Sequence, residues 1–153
     1  MRLNGTNYYK MNYKSVHDIT LLNIPKIIDP EGRGNLSVIE KDVLPYAIKR
    51  VYYLYDVPSG STRGGHAHKE QLEFLIPISG SFDVILDDGS HKKTFTLNQP
   101  YKGLLIPKGI WRELQNFSSG AICLVISSGE FLESDYIRSY DSFQLFKGSQ
   151  SKS

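Results

Sequence analysis

One cysteine among 153 residues excludes an intrachain disulfide framework. Cys123 falls within the apolar run Ala121-Ile122-Cys123-Leu124-Val125-Ile126, where a buried, inert thiol is expected rather than a nucleophile. Nowhere does the chain carry the run of about 18 apolar residues that a membrane-spanning helix needs. The stretch Met1–Lys14, rich in Asn, Tyr and Lys, lacks the apolar centre of a secretion signal, so a cytoplasmic location is expected. Charge of one sign is also missing. With 18 Lys and Arg against 16 Asp and Glu, dispersed to a net charge of +2, no basic arm points to nucleic acid or an anionic membrane. An anionic small molecule needs only a few local arginines.

The composition, 40% apolar and 22% charged, is that of one globular domain with material for a core. Apolar and polar residues alternate over short segments instead of recurring every three or four, which is the signature of β-structure. Strands are expected at Ile19–Ile28, Asn35–Glu40, Ala47–Val57, Leu72–Ile78, Ser81–Leu86, Lys93–Leu97, Gly103–Ile106, Glu113–Asn116 and Ala121–Ser127. Turn residues punctuate them, as at Asp29-Pro30-Glu31-Gly32, Pro58-Ser59-Gly60, Asn98-Gln99-Pro100 and Ser118-Ser119-Gly120. Asp87-Asp88-Gly89, between two alternating runs, predicts a hairpin. This rhythm implies an all-β sandwich or jelly roll. Only the tail between Glu133 and Phe146 suits a short helix, with Tyr136, Tyr140, Phe143 and Phe146 packing on the barrel or a partner subunit.

The chemistry begins at Gly60, His66, His68, Glu73 and Gly80, whose spacing fits the first cupin motif, G-x5-H-x-H-x4-E-x6-G, at every fixed position. Residues two apart on a strand face the same side, so His66 and His68 should point together into a barrel mouth, with Glu73 returning on the next strand. Many cupins hold a divalent metal with those three side chains and a histidine from a second motif. Here Pro107, Gly109 and Asn116 mark that second motif, but Arg112 stands at the histidine position. A guanidinium has no lone pair for a metal and suits a diphosphate, carboxylate or developing oxyanion. Taken alone, the residues leave two options open: a metal-free site, or a three-ligand His66/His68/Glu73 metal site.

A narrower resemblance lies in the blocks Ile28-Asp29, Gly34-Asn35-Leu36-Ser37-Val38, Lys49-Arg50-Val51-Tyr52-Tyr53, Arg63-Gly64-Gly65-His66-Ala67-His68-Lys69, Val84–Gly89, Trp111-Arg112-Glu113 and Asp135-Tyr136-Ile137-Arg138 with Tyr140, Asp141 and Phe143. From about Lys26 to Phe146 the chain resembles the TDP-4-keto-6-deoxyglucose 3,4-ketoisomerases of the WxcM-like cupin group. Sugar-nucleotide epimerases of the same broad barrel type lack the Arg-Gly-x-His-Ala-His block. The resemblance implies a homodimeric cupin, or RmlC-like, jelly-roll β-barrel that needs no metal or other cofactor. Its substrate would be a dTDP-linked 4-keto-6-deoxyhexose, whose keto group moves from C4 to C3. The product would go on to 3-amino-3,6-dideoxyhexoses of surface polysaccharides.

By the same resemblance His66 is the base that takes the C3 proton, His68 its partner in positioning or proton exchange, and Tyr52 a hydrogen-bonding group for the sugar oxygens and the enediol. Arg50 and Arg63 are expected at the diphosphate, Arg33 and Arg112 near the hexose, and Trp111 on the base or capping the pocket. Tyr53 and Tyr55 should project to the other side of the Tyr52 strand and pack there. The expected organisation is an N-terminal segment, 1–25, lending a strand to the dimer, a cupin domain, 26–146, and a flexible tail, 147–153. Two other readings are a metal-dependent cupin enzyme on His66, His68 and Glu73, and a non-catalytic nucleotide-sugar-binding cupin.

Overall fold

The computed structural model describes residues 15–151. Two five-stranded antiparallel sheets face each other. The first is ordered β1 (Leu22–Asn23), β9 (Lys102–Ile106), β6 (Glu73–Ser79), β11 (Ile122–Ser127), β4 (Arg50–Leu54), and the second β12 (Tyr136–Ile137), β5 (Arg63–His68), β10 (Trp111–Gln115), β7 (Phe82–Asp87), β8 (Lys92–Leu97). A separate hairpin joins β2 (Lys26–Ile28) to β3 (Asn35–Ser37), and one helix, α1 (Tyr140–Gln150), closes the described chain. This is the jelly-roll barrel that the alternating pattern predicts.

The alternation works because each sheet turns one face inward. Leu75, Leu104, Ile106, Cys123 and Val125 from the first sheet meet Val84, Leu86, Phe95, Leu97 and Leu114 from the second in one buried cluster. The intervening residues Phe74, Ile76, Leu105 and Ile126 face outward, yet they too are buried, beneath Ile24, Leu44 and Tyr46. Covered on both faces, the start of β6 is therefore continuously buried, as its apolar run suggests. On the outer face of the second sheet, α1 lays Phe143 on Ala67, Trp111 and Ile137. Ser139 starts that helix by accepting from the Ser142 amide at 3.1 Å.

Several boundaries differ from the sequence reading, for physical reasons. The expected Ile19–Ile28 strand breaks at Pro25, which has no amide hydrogen to donate; β1 pairs with β9 before it and β2 with β3 after it. Strand β5 has no alternating apolar period and is absent from the pattern-based strands, although the histidine pair requires it. α1 begins later and ends later than the Glu133–Phe146 span. It carries residues 147–150, expected to form a flexible tail, and Lys147 donates to the Gly109 carbonyl at 3.1 Å. Of the expected N-terminal segment, residues 1–14 lie outside the described residues, but Val16 and Ile19 belong to the barrel core itself.

One irregularity sets the site. The β5–β10 register shifts between Arg112, opposite His66, and Leu114, opposite Arg63, leaving an extra residue on β5. Gly64 takes φ +82° there, and a Cβ at that position would come within 2.9 Å of Leu114 Cδ1. A glycine-borne bulge thus redirects β5 immediately before the histidines.

Candidate active site

Four strands and one turn bring the polar side chains together at one end of the barrel. His66 and His68 enter from β5, Glu73 from β6, Tyr52 and Arg50 from β4, and Arg112 from β10 opposite His66. Asp135 comes from the turn before β12, whose pairing sets Tyr136 beside His68.

Glu73, 1% exposed, is the hub. Its Oε1 accepts from Arg112 Nη1 at 2.6 Å and lies 3.1 Å from His68 Nε2, and its Oε2 accepts from the Tyr52 hydroxyl at 2.7 Å. Burial works to raise the Glu73 pKa, but His66, His68 and the Arg112 guanidinium outweigh it and hold the carboxyl far below the ordinary range. Burial first, then the Glu73 charge, drives the Tyr52 phenol well above its ordinary value, so it stays protonated. The His66 imidazole goes the other way: burial, reinforced by the neighbouring Arg112 guanidinium and only partly opposed by Glu73, lowers it from 6.5 to about 4. At neutral pH His66 is therefore an uncharged imidazole, competent to accept a proton.

The three-ligand metal option can be tested on this geometry. Donor atoms of His66, His68 and Glu73 do lie within 4.8 Å of one another. However, Arg112 is 2% exposed and already gives Glu73 Oε1 a 2.6 Å charge-assisted hydrogen bond. A dication there would meet a fixed guanidinium at the position from which a fourth ligand would come. The arranged residues do not fit a metal. Glu73, unexplained by the sequence in a metal-free site, is the counter-ion of Arg112 and the acceptor for Tyr52.

His66 borders a cleft of about 440 Å³, lined also by Arg50, Tyr52, Arg63, Tyr136 and Arg138. Arg63 makes no ion pair among the described residues, which leaves its guanidinium available to a ligand. Arg138 is held by a bidentate pair to Glu133 at 2.6 and 2.8 Å and lies over the Tyr136 ring at 4.1 Å. The structure thus gathers His66, His68, Tyr52, Arg50, Arg63 and Arg112.

Two expected residues are elsewhere. Trp111 alternates with Arg112 and so faces away from the barrel, packed under α1 against Phe143 and Tyr140; stacking on a base or capping this cleft is not open to it. Arg33 sits in the β2–β3 turn, ion-paired to Asp29 at 2.9 Å, and does not line the cleft of its own chain. Tyr53 and Tyr55 do face the other side of β4, but are 60% exposed instead of packed. Asp135 and Arg138 were given no role by the sequence, and Tyr136, expected only to pack, instead lines the cleft and lies against His68. Their only signal was the Asp-Tyr-Ile-Arg block, since a short turn and two-residue strand show no period.

Residues 17–148 match the family described as FdtA: WxcM-like, C-terminal. The chain belongs to this family. It is 42% identical over 127 residues to TDP-4-oxo-6-deoxy-alpha-D-glucose-3,4-oxoisomerase of Aneurinibacillus thermoaerophilus, covering 82% of this chain and 90% of that protein. A crystal structure of a 3,4-ketoisomerase from Helicobacter canadensis superposes with a TM-score of 0.81 at 42% identity, over 86% of this chain and 98% of the other. QdtA, a sugar 3,4-ketoisomerase from Thermoanaerobacterium thermosaccharolyticum crystallised in complex with TDP, gives 0.83 at 36% identity, over 89% and 98%. This FdtA/WxcM-like chain thus shares both the barrel and most of its length with sugar ketoisomerases.

Proposed function

We propose that this protein is an isomerase that converts dTDP-4-keto-6-deoxy-D-glucose to a dTDP-3-keto-6-deoxyhexose through an enediol. The observation that carries the reading is a neutral imidazole, His66, on the wall of a cleft ringed by guanidinium groups. Moving a ketone to the adjacent carbon needs a proton removed from C3, an enediol, and a proton returned to C4. His66 takes the C3 proton as the C4 carbonyl oxygen gains electron density; the O3 proton is relinquished and O4 acquires one, and His66 returns its proton to C4. Tyr52, whose single proton is held by Glu73 Oε2, accepts from a sugar hydroxyl, and the buried Arg112 contributes positive charge beside His66 as the oxyanion develops. Arg50 and Arg63 take the diphosphate, for which planar guanidinium forks are suited.

The active assembly we infer is a homodimer. The β2–β3 hairpin exposes Ile27, Ile28 and Leu36, and edge strand β4 exposes Val51, Tyr53 and Tyr55, more apolar surface than an isolated barrel usually shows. A cytoplasmic enzyme supplying a 3-amino-3,6-dideoxyhexose pathway for surface polysaccharide fits the substrate and the single buried thiol. No described helix is long and apolar enough to cross a membrane.

The test is NMR of the chelator-treated protein with dTDP-4-keto-6-deoxyglucose in deuterated water, beside His66→Asn. New 3-keto signals with deuterium at the migrating positions, absent from the variant, are expected. Turnover only after a metal is restored would replace this reading with a His66/His68/Glu73 metalloenzyme; binding without turnover would leave a nucleotide-sugar-binding protein.

A further inference from the structure

Resting on the isomerase reading, we propose that Asp135 is a positioning residue that sets the proton arrangement of both histidines. Asp135, His68 and His66 form a line from the buried interior to the cleft. Asp135 Oδ2 lies 2.9 Å from His68 Nδ1, and His68 Nε2 lies 3.2 Å from His66 Nε2. His68 is fully buried and Asp135 5% exposed. Both histidine rings lie against the Tyr136 ring, with centroids 4.4 Å (His68) and 5.0 Å (His66) away, which restricts their rotation.

The tautomers follow from how each carboxylate is compensated. Among the described residues Asp135 has no cation beside it other than His68, so the His68 proton sits on Nδ1 and is donated to Asp135. Glu73 Oε1 lies 3.1 Å from His68 Nε2, but its charge is met by Arg112 at 2.6 Å, which leaves His68 Nε2 to accept from His66 Nε2–H in the resting site and to turn its proton to Glu73 once His68 becomes an imidazolium. His66 is left with Nδ1 unprotonated, and no hydrogen bond among the described residues reaches that atom. When His66 Nδ1 takes the C3 proton, its Nε2 proton passes to His68 Nε2, making His68 an imidazolium between the Asp135 and Glu73 carboxylates. Reversal of both transfers delivers the proton to C4, with no net change in either histidine.

Asp135→Asn probes this specifically. Asp135 Oδ1 accepts from the Glu70 amide at 2.8 Å and Oδ2 from the Gln71 amide at a longer 3.3 Å, so the asparagine oxygen keeps the shorter bond and the NH2 group turns to His68 Nδ1. His68 must then carry its proton on Nε2 and cannot receive one from His66. The corresponding change in a Ser-His-Asp triad costs about 10⁴ in kcat; here a loss of about 100-fold or more is expected, with KM within about threefold because no substrate contact changes. Long-range ¹⁵N NMR should show His68 protonated at Nδ1 and His66 at Nε2 in the wild type, and His68 protonated at Nε2 in the variant. A variant with kcat within threefold of wild type, or a resting wild type with the opposite tautomers, overturns the proposal. The wild-type spectrum decides between the tautomers even if the variant does not fold. A wild-type enzyme that fails to isomerise the sugar overturns the isomerase reading alone, while its tautomers still decide the proton line.

Discussion

Glu73→Gln separates the charge of the hub from its shape. The amide is isosteric, its oxygen can still accept from Arg112, and its NH2 group can donate to Tyr52 once that hydroxyl rotates to accept. What disappears is the negative charge facing a guanidinium that is 2% exposed. Removing one partner of a buried, hydrogen-bonded ion pair costs about 3–5 kcal/mol. Against a total stability of about 5–15 kcal/mol, that is a large fraction. For a chain of this length each kcal/mol is worth about 2–4 °C, so Tm should fall by roughly 10–15 °C. The companion variant Glu73→Gln/Arg112→Met removes both charges and should recover most of the loss, because an apolar side chain tolerates that site better than an uncompensated cation. Thermal unfolding by circular dichroism at pH 7 and one fixed protein concentration, with chelator present, measures both. If Glu73→Gln melts within about 3 °C of wild type, or the double variant is no more stable than the single, Glu73 is not the counter-ion that holds this site.

Acid should act through His66. Its folded pKa of about 4 lies below the ordinary 6.5, so between those values the unfolded chain binds a proton that the folded chain refuses. The contribution is complete above pH 6.5 and is lost as pH falls toward 4, about 3 kcal/mol at most. Urea midpoints at pH 7 and 4.5 should therefore drop further for wild type than for His66→Asn; equal drops would refute the assignment. Trp111→Ala should cost about 3–5 kcal/mol by emptying the space beneath α1. Its KM for the nucleotide sugar should change less than twofold; a tenfold rise in KM without loss of Tm would return Trp111 to substrate binding.

Much of this protein is legible in the chain. Period-2 alternation specifies two-faced strands, Asp-Gly and Ser-Gly steps place turns, and the His-x-His spacing puts two imidazoles on one side of a strand whose apolar content is too low to show as one. The arginine in place of the second-motif histidine signals that a cation stands where a metal ligand would. Other features exist only once the sheets close. Trp111 and Arg112 are neighbours in sequence, but strand pleating sends one under α1 and the other into the barrel, and which goes where depends on the register of β10 against β5 and β7. In a metal-free site Glu73 has no visible purpose until β6 is set against β4 and β10, when its two oxygens meet Arg112 and Tyr52. Asp135 lies 67 positions from His68, in a turn with no period of its own, and becomes its partner because β12 pairs with β5. Local spacing thus determined which groups share a face, because a strand repeats every two residues. The depressed His66, the Arg112–Glu73 pair and the Asp135–His68–His66 line were decided by tertiary structure, because burial and long-range register are properties of the closed barrel.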